Sequence, residues 1–205
     1  MAETTPLVIK DTTANPAPLG LFAFGMTTVL LNLRNAGFYE MNSMILAMGI
    51  FYGGAAQVIA GVLEWKKNNT FGATAFTSYG FFWLTLVGLI LLPKIDPKFT
   101  TNGVGFGWYL LVWGLFTLGL FIGTLRLSRA LQVVFGSLVI LFVLLAIEKF
   151  VDPGEGFGHM TGFEGVFCGL SACYAGLAQV LNEIYGKTVL PLGLVKRPQK
   201  DELLG

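Results

Sequence analysis

The chain has 205 residues, of which 54% are hydrophobic and only 12% charged, with a net charge of +1. A soluble domain carries about 25% charged residues, so this chain cannot cover a water-facing surface, and a water-soluble globular domain is excluded. The near-zero net charge also leaves no basic footprint for a nucleic acid.

Charge is segregated along the sequence. Charge-free windows run over 12–33, 41–63, 68–93, 99–125, 130–147 and 165–182, each near the roughly 17–25 residues that a helix needs to cross hydrocarbon. The pattern predicts an all-α integral membrane protein with six transmembrane helices, numbered spans 1 to 6 in chain order. No domain boundary interrupts them: a tail over 1–14, one spanning unit over 15–187 and a second tail over 188–205 are expected. Met1 to Lys10 holds acid and threonine rather than a basic stretch before an apolar core, so no signal peptide is expected.

Span 1 opens on Asn15-Pro16-Ala17-Pro18-Leu19-Gly20-Leu21. Asn caps helices, and Pro is tolerated in a first turn whose N–H groups lack partners, so the string predicts an abrupt, rigid entrance. Its prolines remove two donors. The Asn15 amide and the N–H groups of Ala17 and Leu19 remain as candidate contacts for an anion. Further along, span 1 carries Thr28 and Asn32.

Span 2 holds Gly49-x-x-x-Gly53 and Gln57, span 3 holds Thr74, Ser78 and Tyr79, and span 4 holds Gly119-x-x-x-Gly123. Small residues at this spacing let membrane helices approach closely, so both glycine pairs are expected contact ridges. Span 5 carries Gln132 and Ser137, and span 6 carries Ser171, Gln179 and both cysteines. Cys168 and Cys173 point about 140° apart on a helix, so they are expected to be packing residues without a mutual disulfide. Glu164 is expected at the outer start of span 6, as a solvated acid favoured by the helix dipole. An outer-vestibule proton site is the sharper alternative there.

Tyr52-Gly53-Gly54-Ala55-Ala56-Gln57-Val58 in span 2 echoes Tyr174-Ala175-Gly176-Leu177-Ala178-Gln179-Val180 in span 6. Both spans run the same way through the membrane. The echo predicts three hairpin repeats, spans 1–2, 3–4 and 5–6, around a central pore along the membrane normal. Nine Lys and Arg residues flank the spans on the side of the termini (Lys10, Lys66, Lys67, Arg126, Arg129, Lys187, Lys196, Arg197, Lys200), against four on the other (Arg34, Lys94, Lys98, Lys149). That excess puts both termini in the cytoplasm. A compact bundle with more apolar faces than lipid requires also predicts a homo-oligomer.

No enzyme constellation emerges. His159 is the only histidine, no Gly-rich phosphate loop or nucleophile elbow occurs, and Asp11, Asp96, Asp152 and Asp201 all fall in loops or tails. The chain is expected not to be an enzyme, and neither cofactor nor metal is called for. The polar groups within the spans, Thr28, Asn32, Gln57, Thr74, Ser78 and Gln179 among them, must be satisfied inside the bundle. Each alone reads as an interhelical hydrogen bond. Together they fit a narrow path of hydroxyls and amides with no fixed charge at its centre. A metal-cation path would want acids there and a strong anion site would want Arg or Lys. The cargo expected is a small, weakly hydrated monocarboxylate or a neutral solute.

Three strings closely resemble the acetate uptake transporter family: Asn15-Pro16-Ala17-Pro18-Leu19-Gly20-Leu21, Met48-Gly49-Ile50-Phe51-Tyr52-Gly53-Gly54, and Asn69-Thr70-Phe71-Gly72-Ala73-Thr74-Ala75-Phe76-Thr77-Ser78-Tyr79-Gly80. Gly123-Thr124-Leu125, Leu181-Asn182-Glu183 and Thr188-Val189-Leu190-Pro191-Leu192-Gly193 extend the likeness over residues 14 to 193. The resemblance implies six-helix subunits assembled as a hexamer in the lipid bilayer of the plasma membrane, the inner membrane in a Gram-negative cell. It implies a path for acetate, succinate and other small carboxylates, as an anion channel or a proton-coupled permease.

The same resemblance implies a hydrophobic constriction built from Phe24, Tyr79 and Leu138, one from each odd span, with Ala172 as a small residue setting pore width. Asn68 stands where many relatives carry Gly, and Asn tolerates the left-handed conformation, so the loop is expected to keep its shape. Glu164 stands where a close relative is apolar. Two other readings stay open at this point: a urea or amide channel of similar architecture, and a non-transporting membrane scaffold or acetate sensor.

Overall fold

The computed structural model describes residues 12–195. Its helices are α1 (Ala17–Asn35), α2 (Ser43–Ala47), α3 (Gln57–Lys66), α4 (Thr70–Ile95), α5 (Gly103–Thr124), α6 (Arg129–Val151) and α7 (Glu155–Tyr185). A π-helical stretch, Met48–Ala56, joins α2 to α3 in one rod, and a 3₁₀ turn over Pro97–Phe99 follows α4. Six rods are long and apolar enough to cross a membrane: α1, the composite rod Ser43–Lys66, α4, α5, α6 and α7. These are spans 1 to 6. Among the described residues, the only β pairing is a single bridge between Ser128 and Leu194.

Short polar residues set the helix starts. Asn42 accepts from the N–H groups of Met44 and Ile45, Asn69 from Gly72, Asn102 from Gly105 and Ser128 from Leu131. Each satisfies a first-turn donor that the helix itself leaves open. Asn68 takes φ +58° in the turn between spans 2 and 3, the left-handed shape expected of it. Span 6 is longer than its charge-free window, 31 residues beginning at Glu155. Glu164 is therefore not at the helix start, as expected from sequence, but more than two turns inside. The charge-free criterion ended the window at Glu164 itself and so misplaced it.

The spans pack as a closed ring in chain order, with span 6 returning to span 1. The tightest pairs are 1 with 6, 4 with 5, and 2 with 3, whereas spans 3 and 4 barely touch. The closest contacts thus run between successive hairpins, 2 to 3, 4 to 5 and 6 to 1, rather than within them.

Glycine placement is the reason. A Cβ on Gly25 would lie 2.6 Å from the Gly169 carbonyl oxygen, and one on Gly169 would lie 2.7 Å from that of Gly25. Spans 1 and 6 therefore meet backbone to backbone. Gly162 and Gly165 continue the seam against Ala36 and Asn32, and Gly61 against Thr77 plays the same part between spans 2 and 3. Gly53 packs on Thr27 and Trp83, as a contact ridge should, but Gly119 meets nothing and Gly123 only touches the Phe71 ring at 3.4 Å. The ridge expected in span 4 has no backbone partner within the described chain. Cys168 is buried, Cys173 is partly exposed, and both are free.

Beyond span 6 the chain doubles back as a strap. Asn182 holds it, accepting from the N–H groups of Val189 and Leu190 and donating to the Leu190 carbonyl, while Tyr174 donates to the Pro191 carbonyl. The carbonyls of Leu192 and Gly193 then accept from Ala130 and Arg129, the first turn of span 5. Residues 12 and 195 lie at the same end of the ring, called here the tail end. Of the basic residues counted there, Lys10, Lys196, Arg197 and Lys200 lie outside the described residues.

Candidate functional site

Phe24, Tyr79 and Leu138 converge from spans 1, 3 and 5, none more than 5% exposed. The Phe24 and Tyr79 ring centroids are 5.8 Å apart. With Gln57 and neighbouring apolar side chains the three enclose a cavity of about 20 Å³, which suits one water molecule. No charged group lines it.

The Tyr79 hydroxyl points away from this cavity. Thr117 Oγ1 donates its one proton to the Trp113 carbonyl at 2.7 Å, so across the 2.9 Å contact Tyr79 is the donor. The ring narrows the centre while span 4 satisfies the polar end. Tyr79→Phe is accordingly expected to lower stability by about 1 kcal/mol and to leave solute selectivity unchanged. Thermal melting paired with an uptake assay checks this, and altered selectivity would put the hydroxyl in the path.

Toward the tail end the constriction adjoins a vestibule of about 530 Å³, since Leu21, Ala75, Phe76 and Phe135 line both. Its polar lining includes Asn15, Glu64, Asn69, Arg126 and Gln179. Ala17 and Leu21, four residues apart, share the lining face of span 1. Leu19 falls on the other side of the helix and does not line the vestibule; a residue two positions away turns about 200° from its neighbour's face.

Two of the expected anion donors, the Asn15 amide and the Ala17 N–H, are already engaged. Asn15 Oδ1 accepts from the Ala17 N–H at 3.1 Å, and Asn15 Nδ2 donates to Gln179 Oε1 at 2.9 Å. Span 3 gives its Gly72 N–H to Asn69, and span 5 gives the Arg129 and Ala130 N–H groups to the strap. Positive charge at this mouth comes from the Arg126 and Lys67 side chains rather than from open helix ends.

Six buried side-chain atoms have no hydrogen-bond partner among the described residues: Thr27 Oγ1, Thr28 Oγ1, Gln57 Oε1, Glu64 Oε1, Trp83 Nε1 and Glu164 Oε2. Such a group costs about 1–3 kcal/mol unless something satisfies it, and hydrocarbon offers nothing. Their order follows the helix registers. Glu64 lies at the vestibule, Gln57 at the constriction, Thr28 and Trp83 one turn beyond Phe24 and Tyr79, and Glu164 further toward the opposite end.

Other residues singled out from sequence lie elsewhere. Thr74 and Ser78 sit with Gly61, Val62 and Trp65 along an outward groove between spans 2 and 3, not at the centre. They are i and i+4 on one helix face, whereas Ala75 and Tyr79, one position on, line the cavity. Asn32 belongs to the seam between spans 1 and 6: its Nδ2 donates to the Thr28 carbonyl at 2.9 Å and its Oδ1 accepts from Asn35 at 3.1 Å. Ala172 is fully buried in the core. Glu64, only 2% exposed, was missed because a Glu beside Trp65-Lys66-Lys67 reads as an interfacial acid. The signal was Gly72, where a Cβ would lie 2.9 Å from the Glu64 carboxyl carbon. Among the described residues, no group of three His, Cys, Asp or Glu side chains could hold a metal.

The model described as the GPR1/FUN34/yaaH family matches residues 3–192. The chain is 56% identical to the succinate-acetate/proton symporter SatP of Escherichia coli strain K12, over 88% of this chain and 95% of that one. It is 38% identical to ammonia transport outward protein 2 of Saccharomyces cerevisiae, over 82% of this chain and 63% of that protein. The fold matches a solved structure of the bacterial acetate channel SatP with a TM-score of 0.86 at 55% identity, covering 89% of this chain and 100% of the other.

Proposed function

The chain belongs to the GPR1/FUN34/yaaH family, and from that premise we propose that it carries acetate and related small carboxylates, succinate among them, across the membrane. It is a transport protein and not an enzyme, in keeping with bacterial relatives named a symporter and a channel. The observation that carries the reading is the uncharged constriction of Phe24, Tyr79 and Leu138 with the unpartnered carboxamide oxygen of Gln57 beside it. An apolar ring sieves by size. Removing water from a full charge is expensive, so a carboxylate accompanied by a proton passes more cheaply than a bare anion.

The three constriction residues set the size limit, Ala172 sets width from span 6, and Gln57 and Thr28 meet the solute on either side of the ring. Residues 15–187 form the spanning part of the pathway, and Leu192, Leu194 and Val195 complete the vestibule wall. The Asn15–Gln179 hydrogen bond shapes the vestibule mouth at 2.9 Å. The tail end faces the cytoplasm of a plasma membrane, supported by the nine-to-four excess of Lys and Arg. The subunits assemble as a hexamer, supported by outward faces rich in exposed Phe and Trp such as Phe51, Trp108 and Phe167. Purified protein in liposomes is expected to take up labelled acetate and succinate in preference to urea. Urea uptake exceeding acetate uptake, or no carboxylate flux from intact oligomers, would overturn this reading.

A further inference from the structure

We propose that Glu64 is the proton-exchanging group of the pathway, trading a proton with the substrate carboxyl in the tail-end vestibule; this rests on the carboxylate-transport reading above. Glu64 is 2% exposed, yet it lines the vestibule. Its Oε2 accepts from Asn69 Nδ2 at 2.7 Å, and its Oε1 is buried with no partner. Asn69 is itself fixed, because its Oδ1 caps the Gly72 N–H at 3.1 Å. One carboxyl oxygen is thus anchored, and the other is buried and unpaired in a residue that lines the vestibule.

That second oxygen needs a partner in either protonation state. Ionised, it only accepts, and protonated, it must donate. A carboxylic acid and its conjugate base are the two forms of one solute that supply these partners in turn. A neutral acid donates its O–H to ionised Glu64, and protonated Glu64 donates to a carboxylate. The two states differ by one proton moved along one hydrogen bond. The substrate O–H breaks as the Glu64 O–H forms, and no electron or further reactant is involved.

Position supports the assignment. Gln57 and Glu64 are seven residues apart on span 2, nearly two full turns, so their unpartnered oxygens share a helix face about 10 Å apart along the axis. A neutral acid that has passed the constriction beside Gln57 meets Glu64 as the nearest carboxyl on that face. Lys67 at the end of span 2, Arg126 from the turn between spans 4 and 5, and Glu183 from span 6 are the charged groups at the same mouth. Spans 1, 3 and 5 present only uncharged residues there, Asn15, Asn69 and Ser128 among them. Arg126 is placed to draw the resulting anion out toward water.

The test uses labelled succinate, purified full-length protein in liposomes, and two regimes: uptake driven by an inward proton gradient, and succinate exchange at equal pH on both sides. Glu64→Gln keeps size and hydrogen bonding but cannot transfer a proton. It is expected to lose gradient-driven uptake by about a hundredfold, the low end of what a positioned proton donor contributes, while exchange falls far less. Asn69→Ser keeps an acceptor for the span 3 cap but withdraws the donor from Glu64. It is expected to move the half-maximal pH of gradient-driven uptake upward by about one unit. Wild-type coupling in Glu64→Gln, equal loss of both regimes, or an unmoved pH profile in Asn69→Ser would each overturn the inference while leaving the transport reading intact. A wild-type protein that moves succinate in neither regime would overturn both.

Discussion

Replacing Gly169 with alanine is expected to lower the melting temperature of the detergent-solubilised protein by about 10 °C, while the same substitution at Gly88 leaves it unmoved or slightly raised. The two sites receive the same methyl group. At Gly169 it lands 2.7 Å from the Gly25 carbonyl oxygen, and at Gly88 it meets nothing within 4 Å. Alanine in place of glycine ordinarily favours a helix by about 1 kcal/mol, so the difference in sign isolates the contact from the propensity. A backbone oxygen cannot step aside as a flexible side chain can. Spans 1 and 6 must separate, and because Phe24 adjoins Gly25, the constriction moves with the seam. Differential scanning fluorimetry on both variants decides the matter, and equal melting temperatures would show that the seam yields freely.

Leu138→Ala is expected to widen the range of acids carried, raising uptake of lactate relative to acetate by about tenfold or more. The cavity beside Leu138 is about 20 Å³, so the wild-type ring must open slightly even for acetate. Deleting the isobutyl group adds room where the solute is tightest, and Phe24 and Tyr79 remain to keep the passage apolar. Such truncations in a packed core cost about 2–5 kcal/mol, so the folded fraction is to be measured alongside the flux. Competition between lactate and labelled acetate in liposomes checks the ratio. An unchanged ratio in folded protein would remove Leu138 from the size limit.

The membrane class and the six spans were legible because charge is excluded from hydrocarbon whatever the fold, and each window of the sequence carried that mark. Azimuth was not legible. In a soluble helix the apolar stripe names the buried face, but these helices are apolar toward lipid and core alike. Thr74 and Ser78 were accordingly assigned to the centre when their face points outward, and only the family resemblance picked Phe24 and Leu138 out from many similar side chains. The pairing of span 1 with span 6 rests on Gly25 and Gly169, far apart in sequence and without a spacing rule to link them. The depth of Glu164 was misjudged because an acid marks the end of a charge-free window even when the helix continues past it. The π-helical stretch left no local signature beyond its glycines, and such stretches concentrate at functional sites; this one ends at Ala56, directly before Gln57.

The strap after span 6 ties biosynthesis to sealing of the vestibule. Leu192, Leu194 and Val195 form part of its wall, and the carbonyls of Leu192 and Gly193 hold the first turn of span 5. All of them emerge from the ribosome after the last spanning helix. A nascent chain can thus insert every helix and still have an unfinished vestibule mouth, with the Arg129 and Ala130 N–H groups of span 5 unpaired.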